Sequence, residues 1–224
     1  MDAFGLVLIN DDNSVCPLQI VKVDAVLDLS LANVKVFQEY YYEGDSDIQA
    51  IYKFPLSPDA QVTDLNIKIG CHEINGELKE KEEAIKYYEK NIRKGDSAFL
   101  LDSFRDDCFQ ISLGNIEPET KISIEIGYIE NLRSLDSIIR WTVPTTIAPK
   151  YEANDYGEPK HRLEVSTTIL EKNLISKVSS PSHPLEFSYD NNEIRINLSK
   201  EIEYLDRDFV LNIHHNHSVE NIIK

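Results

Sequence analysis

Apolar residues recur at every second position over most of this chain. A two-residue period describes a half-buried β-strand, because successive side chains on a strand point to opposite faces. Val21, Val23, Ala25, Leu27, Leu29 and Leu31 alternate with polar Lys22, Asp24, Asp28 and Ser30. This predicts one long strand that carries Asp28 and Ser30 on its polar face. Asn33 marks the turn, and the apolar set then shifts parity to Val34, Val36, Tyr40 and Tyr42. The Gly44–Asp47 cluster is a further turn. Shorter alternating runs follow at Ile48–Phe54, ending at Pro55, and at Leu65–Ile69, ending at Gly70.

One segment breaks this rhythm. Residues 77–94 are rich in Glu, Lys and Ala and contain no Gly or Pro. Leu78, Ala84, Ile85, Tyr88 and Ile92 fall on one face at helical spacing, and Glu82–Lys86 and Glu89–Arg93 are favourable i,i+4 pairs. Asn75-Gly76 precedes the segment and Gly95 can cap its end. The spacing predicts an amphipathic α-helix over 77–94.

Alternation then resumes. It runs through Phe109–Leu113 before Gly114-Asn115, then through Ile122–Tyr128 after a turn at Pro118-Glu119, and through Ile139–Val143. Residues 144–159 hold three prolines and read as a long connection. Beyond it lie runs at Leu163–Ile169, Leu185–Tyr189, Ile194–Leu198 and Phe209–Ile213, with a turn at Asp190-Asn191-Asn192. The pattern predicts a mainly β protein. We expect an antiparallel β-sandwich with one helix over 1–150, and an accessory β region over 151–224.

Charge limits the partners. There are 39 Asp and Glu against 23 Lys and Arg, a formal net charge of -16. Phosphate backbones and anionic lipids need clustered Lys and Arg, so neither nucleic acid nor a membrane surface is the expected partner. No apolar run approaches the ~20 residues of a membrane helix. The start lacks the basic region, longer apolar core and small-residue site of a secretory signal. Cys16, Cys71 and Cys108 are odd in number and show no metal-ligand spacing, which suggests reduced thiols in the cytoplasm. The triplets Asn197-Leu198-Ser199 and Asn216-His217-Ser218 match a glycosylation acceptor, but such triplets arise readily in an Asn-rich chain.

Several constellations invite a chemical role, and each has a plainer explanation. Asp28-Leu29-Ser30-Leu31-Ala32 partly imitates an Asp-x-Ser-x-Ser metal motif, yet Ala32 has no oxygen and the alternation favours a strand. His214-His215-Asn216-His217 could suggest a metal tail, but no carboxylate or Cys completes it, and a solvated chain end is the simpler reading. His72, His161 and His183 are scattered. Asp102, Asp106 and Asp107 around Arg105 lack a calcium-loop pattern and fit a turn. Cys71 and His72 would face opposite sides of a strand and cannot form a dyad, which leaves Cys71 as a core thiol. No Gly-x-Ser-x-Gly and no Gly-rich phosphate loop occurs. We therefore expect no catalytic residues, no metal and no cofactor. For the Tyr40-Tyr41-Tyr42 run, one parity faces inwards and Tyr41 outwards. Tyr41 then serves either an interface or cross-strand aromatic packing. The charged outer face of the helix, with Glu80, Glu83 and Lys90, is either solvated or part of the same interaction surface.

Several motifs also resemble a known family in their order along the chain. Ala50-Ile51-Tyr52-Lys53-Phe54-Pro55-Leu56 is similar to the Phe-Pro-Leu strand of VIT (vault protein inter-alpha-trypsin) domains. Glu77-Leu78-Lys79-Glu80-Lys81-Glu82-Glu83-Ala84, with Tyr87 or Tyr88, resembles the family's Lys-Glu-x-Ala helix, and Gly95, Ala98 and Leu100-Leu101 its exit. Leu113-Gly114-Asn115-Ile116-Glu117-Pro118 resembles Val-Gly-Asn-Ile-x-Pro, with Leu113 in place of Val. Tyr128-Ile129-Glu130 resembles the Tyr-Val-Glu element, and Pro144-Thr145 through Pro149-Lys150-Tyr151 the closing motif. The similarity runs from about Pro17 to Tyr151. Asp206-Arg207-Asp208-Phe209-Val210-Leu211 resembles the strand that leads into a von Willebrand A domain, and no such domain follows within these 224 residues. The short start is most similar to the intracellular members of the family that carry a von Willebrand A domain.

What the resemblance implies is a non-enzymatic scaffold for protein–protein interaction. Its partner would be another protein, or a von Willebrand A domain in the same full-length chain. Two alternatives stay open: a secreted inter-alpha-trypsin inhibitor heavy-chain-like matrix protein, and the N-terminal piece of a larger vault poly(ADP-ribose) polymerase-like enzyme. The sequence does not fix the oligomeric state.

Overall fold

A computed structural model describes residues 5–9, 14–57, 59–75, 101–105, 108–145, 162–199 and 207–216. They form three sheets. The largest has eight strands in the order β14 (Leu185–Asp190), β15 (Glu193–Leu198), β12 (Arg162–Ile169), β2 (Leu18–Leu27), β3 (Leu31–Tyr42), β9 (Thr120–Asn131), β5 (Gln61–Ile69) and β6 (His72–Asn75). All neighbours in it are antiparallel except β12 and β2, which run parallel over Arg162–Ile169 and Ile20–Leu27. The second sheet has the order β1 (Gly5–Ile9), β4 (Ile48–Pro55), β8 (Cys108–Ile116) and β7 (Leu101–Arg105). The third has the order β10 (Ser134–Leu135), β11 (Ile138–Val143), β16 (Phe209–His215) and β13 (Ile175–Ser179).

The alternation is what joins these sheets. On β3 the even-numbered residues from Ala32 to Tyr42 are buried, and on β9 the even-numbered residues from Ile122 to Glu130. Tyr52 and Phe54 of β4 meet that face: Tyr52 stands edge-on to Tyr40 at 6.4 Å, and Phe54 lies 6.5 Å from Tyr128. Trp141 of β11 meets Phe209 of β16 edge-on at 6.0 Å. Buried residues from all three sheets form one continuous apolar cluster. Strands beyond residue 161 take part in it, since Leu163, Val165, Ile169, Ile194 and Ile196 are buried there.

Three local expectations need correction. The strand from Val21 stops at Leu27, and β3 begins at Leu31 rather than after Asn33. Asp28 causes the break. Its Oδ1 accepts hydrogen bonds from the Ser30 and Leu31 amides, each at 2.6 Å, and from the Ser30 hydroxyl at 2.8 Å. An Asp that bonds the backbone two and three residues ahead makes a turn without disturbing parity. Burial alone would push the Asp28 carboxyl up, but these three bonds outweigh it and hold it below the usual carboxylate value. Second, Gly114 and Asn115 lie inside β8. The register there shifts between the pairs Ile48–Ile116 and Ala50–Leu113, so they form a bulge rather than a strand end. Third, Asp102 and Arg105 belong to β7 rather than to a turn. Asp106 and Asp107 lie outside the described residues, as does the helix expected over 77–94.

Gly44 has a steric reason. A Cβ there would overlap the Tyr42 ring, whose hydroxyl donates to the Ser46 carbonyl at 2.8 Å. The turn after β3 closes onto that ring, and only the missing side chain leaves room for it.

Candidate interaction surface

Tyr41 projects from the outer face of the eight-stranded sheet. Its hydroxyl donates to Glu119 Oε2 at 2.6 Å, and Glu119 sits at positive φ in the turn before β9. That hydrogen bond, a small desolvation and the charges of Glu119 and Glu43 raise the phenol above its ordinary value. The same face continues as pairs of opposite charge, cross-strand except for Arg162–Glu164 within β12. Lys121 meets Glu39 at 2.9 Å, Lys35 meets Glu125 at 3.9 Å, and Glu164 accepts both Lys22 at 3.0 Å and Arg162 at 2.8 Å. Exposed pairs of this kind contribute only about 0–1 kcal/mol each. They make a mixed-sign surface and not a basic track. Glu80, Glu83 and Lys90, the other expected contributors to an interaction surface, lie outside the described residues.

The core side holds polar groups that the sequence did not announce. Gln38 is fully buried, and its Oε1 accepts the Tyr40 hydroxyl at 2.7 Å and the Tyr52 hydroxyl at 2.8 Å. Glu130 is also buried, and its Oε1 accepts the Trp141 indole N–H at 2.7 Å. The signal for Glu130 was present: it occupies the parity of Ile122, Ile124, Ile126 and Tyr128 and so had to face inwards. Gln38 likewise shares the parity of Val34, Val36 and Tyr40.

The histidines and cysteines depart from expectation. His214 and His215 are not a solvated end; they complete β16, and His215 is buried with Nε2 2.7 Å from Ser134 Oγ. His217 lies outside the described residues. Cys71 is not a core thiol, because it sits exposed and free in the turn before β6. Cys16 is free and buried, and its thiol is pushed up to about 12, first by burial and then by the charge of Glu43. A thiol so rarely ionised is a weak nucleophile. Among the described residues no group of three or more His, Cys, Asp or Glu could hold a metal ion.

The family model of the vault protein inter-alpha-trypsin domain matches residues 18–128. Residues 18–128 are a VIT domain. The match begins with β2 and closes within β9, and so takes in Tyr41, Gln38 and the Tyr41–Glu119 bond. The protein mono-ADP-ribosyltransferase PARP4 of Homo sapiens is 36% identical over 133 residues, which cover 59% of this chain and 8% of that protein. The von Willebrand factor A domain-containing protein 5A of Homo sapiens is 27% identical over 221 residues, 89% of this chain and 28% of that protein. The chain thus spans less than a third of either relative. An M1 zinc metallopeptidase from Deinococcus radiodurans shares the fold alone, at 8% identity and a TM-score of 0.50. The likeness covers 94% of this chain and 42% of the peptidase. The VIT domain therefore supplies about half of the strands described here, and the 5A relatives align beyond it.

Glu130 lies in β9, two residues past the family match, and its buried setting can be tested directly. Burial raises its carboxyl above the ordinary value; the Trp141 hydrogen bond opposes this and the charge of Asp59 adds to it. A folded-state pKa above the unfolded one means that the folded protein holds more protons between the two. The contribution is then fully present below the unfolded value, about 4.3, and is lost as pH rises through the folded value. Glu130→Gln keeps a carbonyl acceptor for Trp141 and removes the titration. Urea midpoints measured from acid to neutral pH should fall less with rising pH in this variant than in the parent. Parallel profiles would refute the assignment.

Proposed function

We propose that this chain is a non-enzymatic protein–protein interaction module, a cytoplasmic scaffold in which the sheets pack as a β-sandwich. One observation carries the reading. The same domain recurs in a protein named as a mono-ADP-ribosyltransferase and in proteins named for a von Willebrand A domain, and it makes up only a small part of each. A segment shared by proteins with such different remainders is a portable module and not the seat of one protein's chemistry. The paired, mixed-sign outer face supports this, since it offers many polar contacts and no basic track for nucleic acid. The free thiols of Cys16 and Cys71 suit a reducing compartment better than a secreted matrix protein.

The partner we infer is a von Willebrand A domain, either within a longer chain or in a second protein. The test is a calorimetric titration of this chain with the purified von Willebrand A domain of the human protein 5A, run beside an NAD⁺-dependent ADP-ribosylation assay. Saturable binding without transfer is the expected result. Turnover that is lost on one substitution, or the absence of any binding, would overturn the reading.

A further inference from the structure

Sheet edges attract other strands, and proteins usually blunt them by shortness, bulges, inserted charge or a covering segment. Most edges here are blunted. β6 has four residues and β10 two. β7 and β13 carry register shifts, between Ser103 and Arg105 and between Ile175 and Lys177. β1 is covered by residues 14–16, which bond Leu8 and Leu6. Among the described residues β14 alone is long, regular and uncovered: all six of its residues pair with β15 without a shift, and nothing pairs with its other side.

The register fixes what this edge presents. Ser199 N–H donates to the Pro184 carbonyl at 3.1 Å, so the next hydrogen-bonded pairs are Glu186–Asn197, Ser188–Arg195 and Asp190–Glu193. The amides and carbonyls of Leu185, Phe187 and Tyr189 then point away from β15, into the open edge. Their side chains lie on the core face, opposite Leu198, Ile196 and Ile194. Ile194 and Ile196 are buried, yet Phe187 is 39% exposed and Tyr189 62%. Two aromatic rings thus continue the core face past its rim, beside unpaired backbone. On the opposite face the edge carries two carboxylates flanking Ser188. Asp190 reaches Arg195 at 3.5 Å, and Glu186 has no ion pair among the described residues.

Charge argues against a second copy of this chain as the occupant. In a two-fold antiparallel pairing of β14 with a second copy, setting Phe187 against Tyr189 would place Glu186 opposite Asp190 at both ends. Like charges directly opposite are destabilising, and each chain already carries a net charge of -16. We propose that β14 is a docking edge for an extended segment of a partner protein in which apolar residues alternate with Lys or Arg. The segment adds as a further strand, sets its apolar row on Phe187 and Tyr189, and sets its basic row on Glu186 and Asp190. This deepens the interaction reading above by naming a surface and a partner chemistry.

The probe is the synthetic peptide Val-Lys-Val-Thr-Val-Lys-Val, compared with its counterpart bearing Glu in place of Lys. Residue-resolved hydrogen exchange is followed on the whole chain. In the free protein the amides of Phe187 and Tyr189 should exchange fast and those of Ser188 and Asp190 slowly. With the Lys peptide at ten times its Kd, exchange at Phe187 and Tyr189 should slow about tenfold. The Glu peptide should have no such effect. Glu186→Lys, an exposed change that leaves the fold intact, should erase the preference between the two peptides. No slowing with the Lys peptide, or equal slowing with both, would overturn the proposal. So would protection of Phe187 and Tyr189 in the isolated monomer, or a dimer in sedimentation that protects them. Because the readout is confined to β14, a failure here is distinguishable from a failure of the von Willebrand A titration.

Discussion

Trp141→Ala is expected to remove most of the stability of this protein. Trp141 is the single tryptophan of the chain and is almost wholly buried. It packs edge-on against Phe209, and its indole N–H is the donor to the buried Glu130. Truncating a buried aromatic of this size costs about 3–5 kcal/mol. Leaving a buried carboxyl without its donor adds about 1–3 kcal/mol. Single domains are stable by only about 5–15 kcal/mol, so the variant should be largely unfolded or close to it. Trp141→Phe separates the two contributions, because it keeps a ring against Phe209 and loses only the N–H. It should cost about 1–3 kcal/mol at neutral pH and less in acid, where Glu130 is protonated. Urea unfolding followed by circular dichroism measures both, since the fluorescent probe is lost with the residue. Combining Trp141→Phe with Glu130→Leu, which unlike Gln removes the acceptor, closes a double-mutant cycle, and a coupling energy near zero would refute the role assigned to this bond.

The pair also shows what a sequence can and cannot disclose. The parity that put Val34, Val36, Tyr40 and Ile122–Tyr128 on buried faces extends to Glu130 and Gln38, but polar residues are not what an apolar count looks for. Which donors they meet depends on strands brought together by the fold, such as Tyr52 of β4, fourteen residues from Gln38. The Tyr41–Glu119 bond spans seventy-eight residues and leaves no local trace. The hairpin at Asp28 was hidden for a different reason. Leu27 and Leu29 are both buried although the chain reverses between Asp28 and Leu31, so the apolar count runs through the turn unbroken. An Asp two residues before a Ser was the available signal, and periodicity outweighed it. The exposure of β14 was illegible too. Leu185-Glu186-Phe187-Ser188-Tyr189 alternates like any half-buried strand, and only the sheet order reveals that its apolar row lies beyond the covering layer.

Strand order likewise sets the limits of the folding unit, which neither the Pro-rich connection nor the extent of the family match defines. A chain cut to residues 1–150 should lose cooperative unfolding, although it contains the whole VIT match at 18–128. The cut strips β12 from β2 along eight consecutive register pairs, Arg162–Ile20 to Ile169–Leu27. β2 would become an open edge in what had been the middle of the largest sheet. The same cut removes β16 from β11, six register pairs from Ile138–His214 to Val143–Phe209. It deletes the buried Leu163, Val165, Ile169, Ile194, Ile196, Phe209, Leu211 and Ile213, and bares the residues they cover. Each such side chain contributes about 1.5–3 kcal/mol on burial, so the total exceeds the net stability of an ordinary domain. Thermal unfolding of the full chain should show one sharp transition, and the 1–150 fragment a broad one with exposed apolar surface. A fragment that melts sharply with its strand content intact would mean that β12, β13, β14, β15 and β16 only decorate a complete VIT core. The docking edge at β14 would then belong to a detachable layer, and the interaction surface of the core would be reduced to the face around Tyr41.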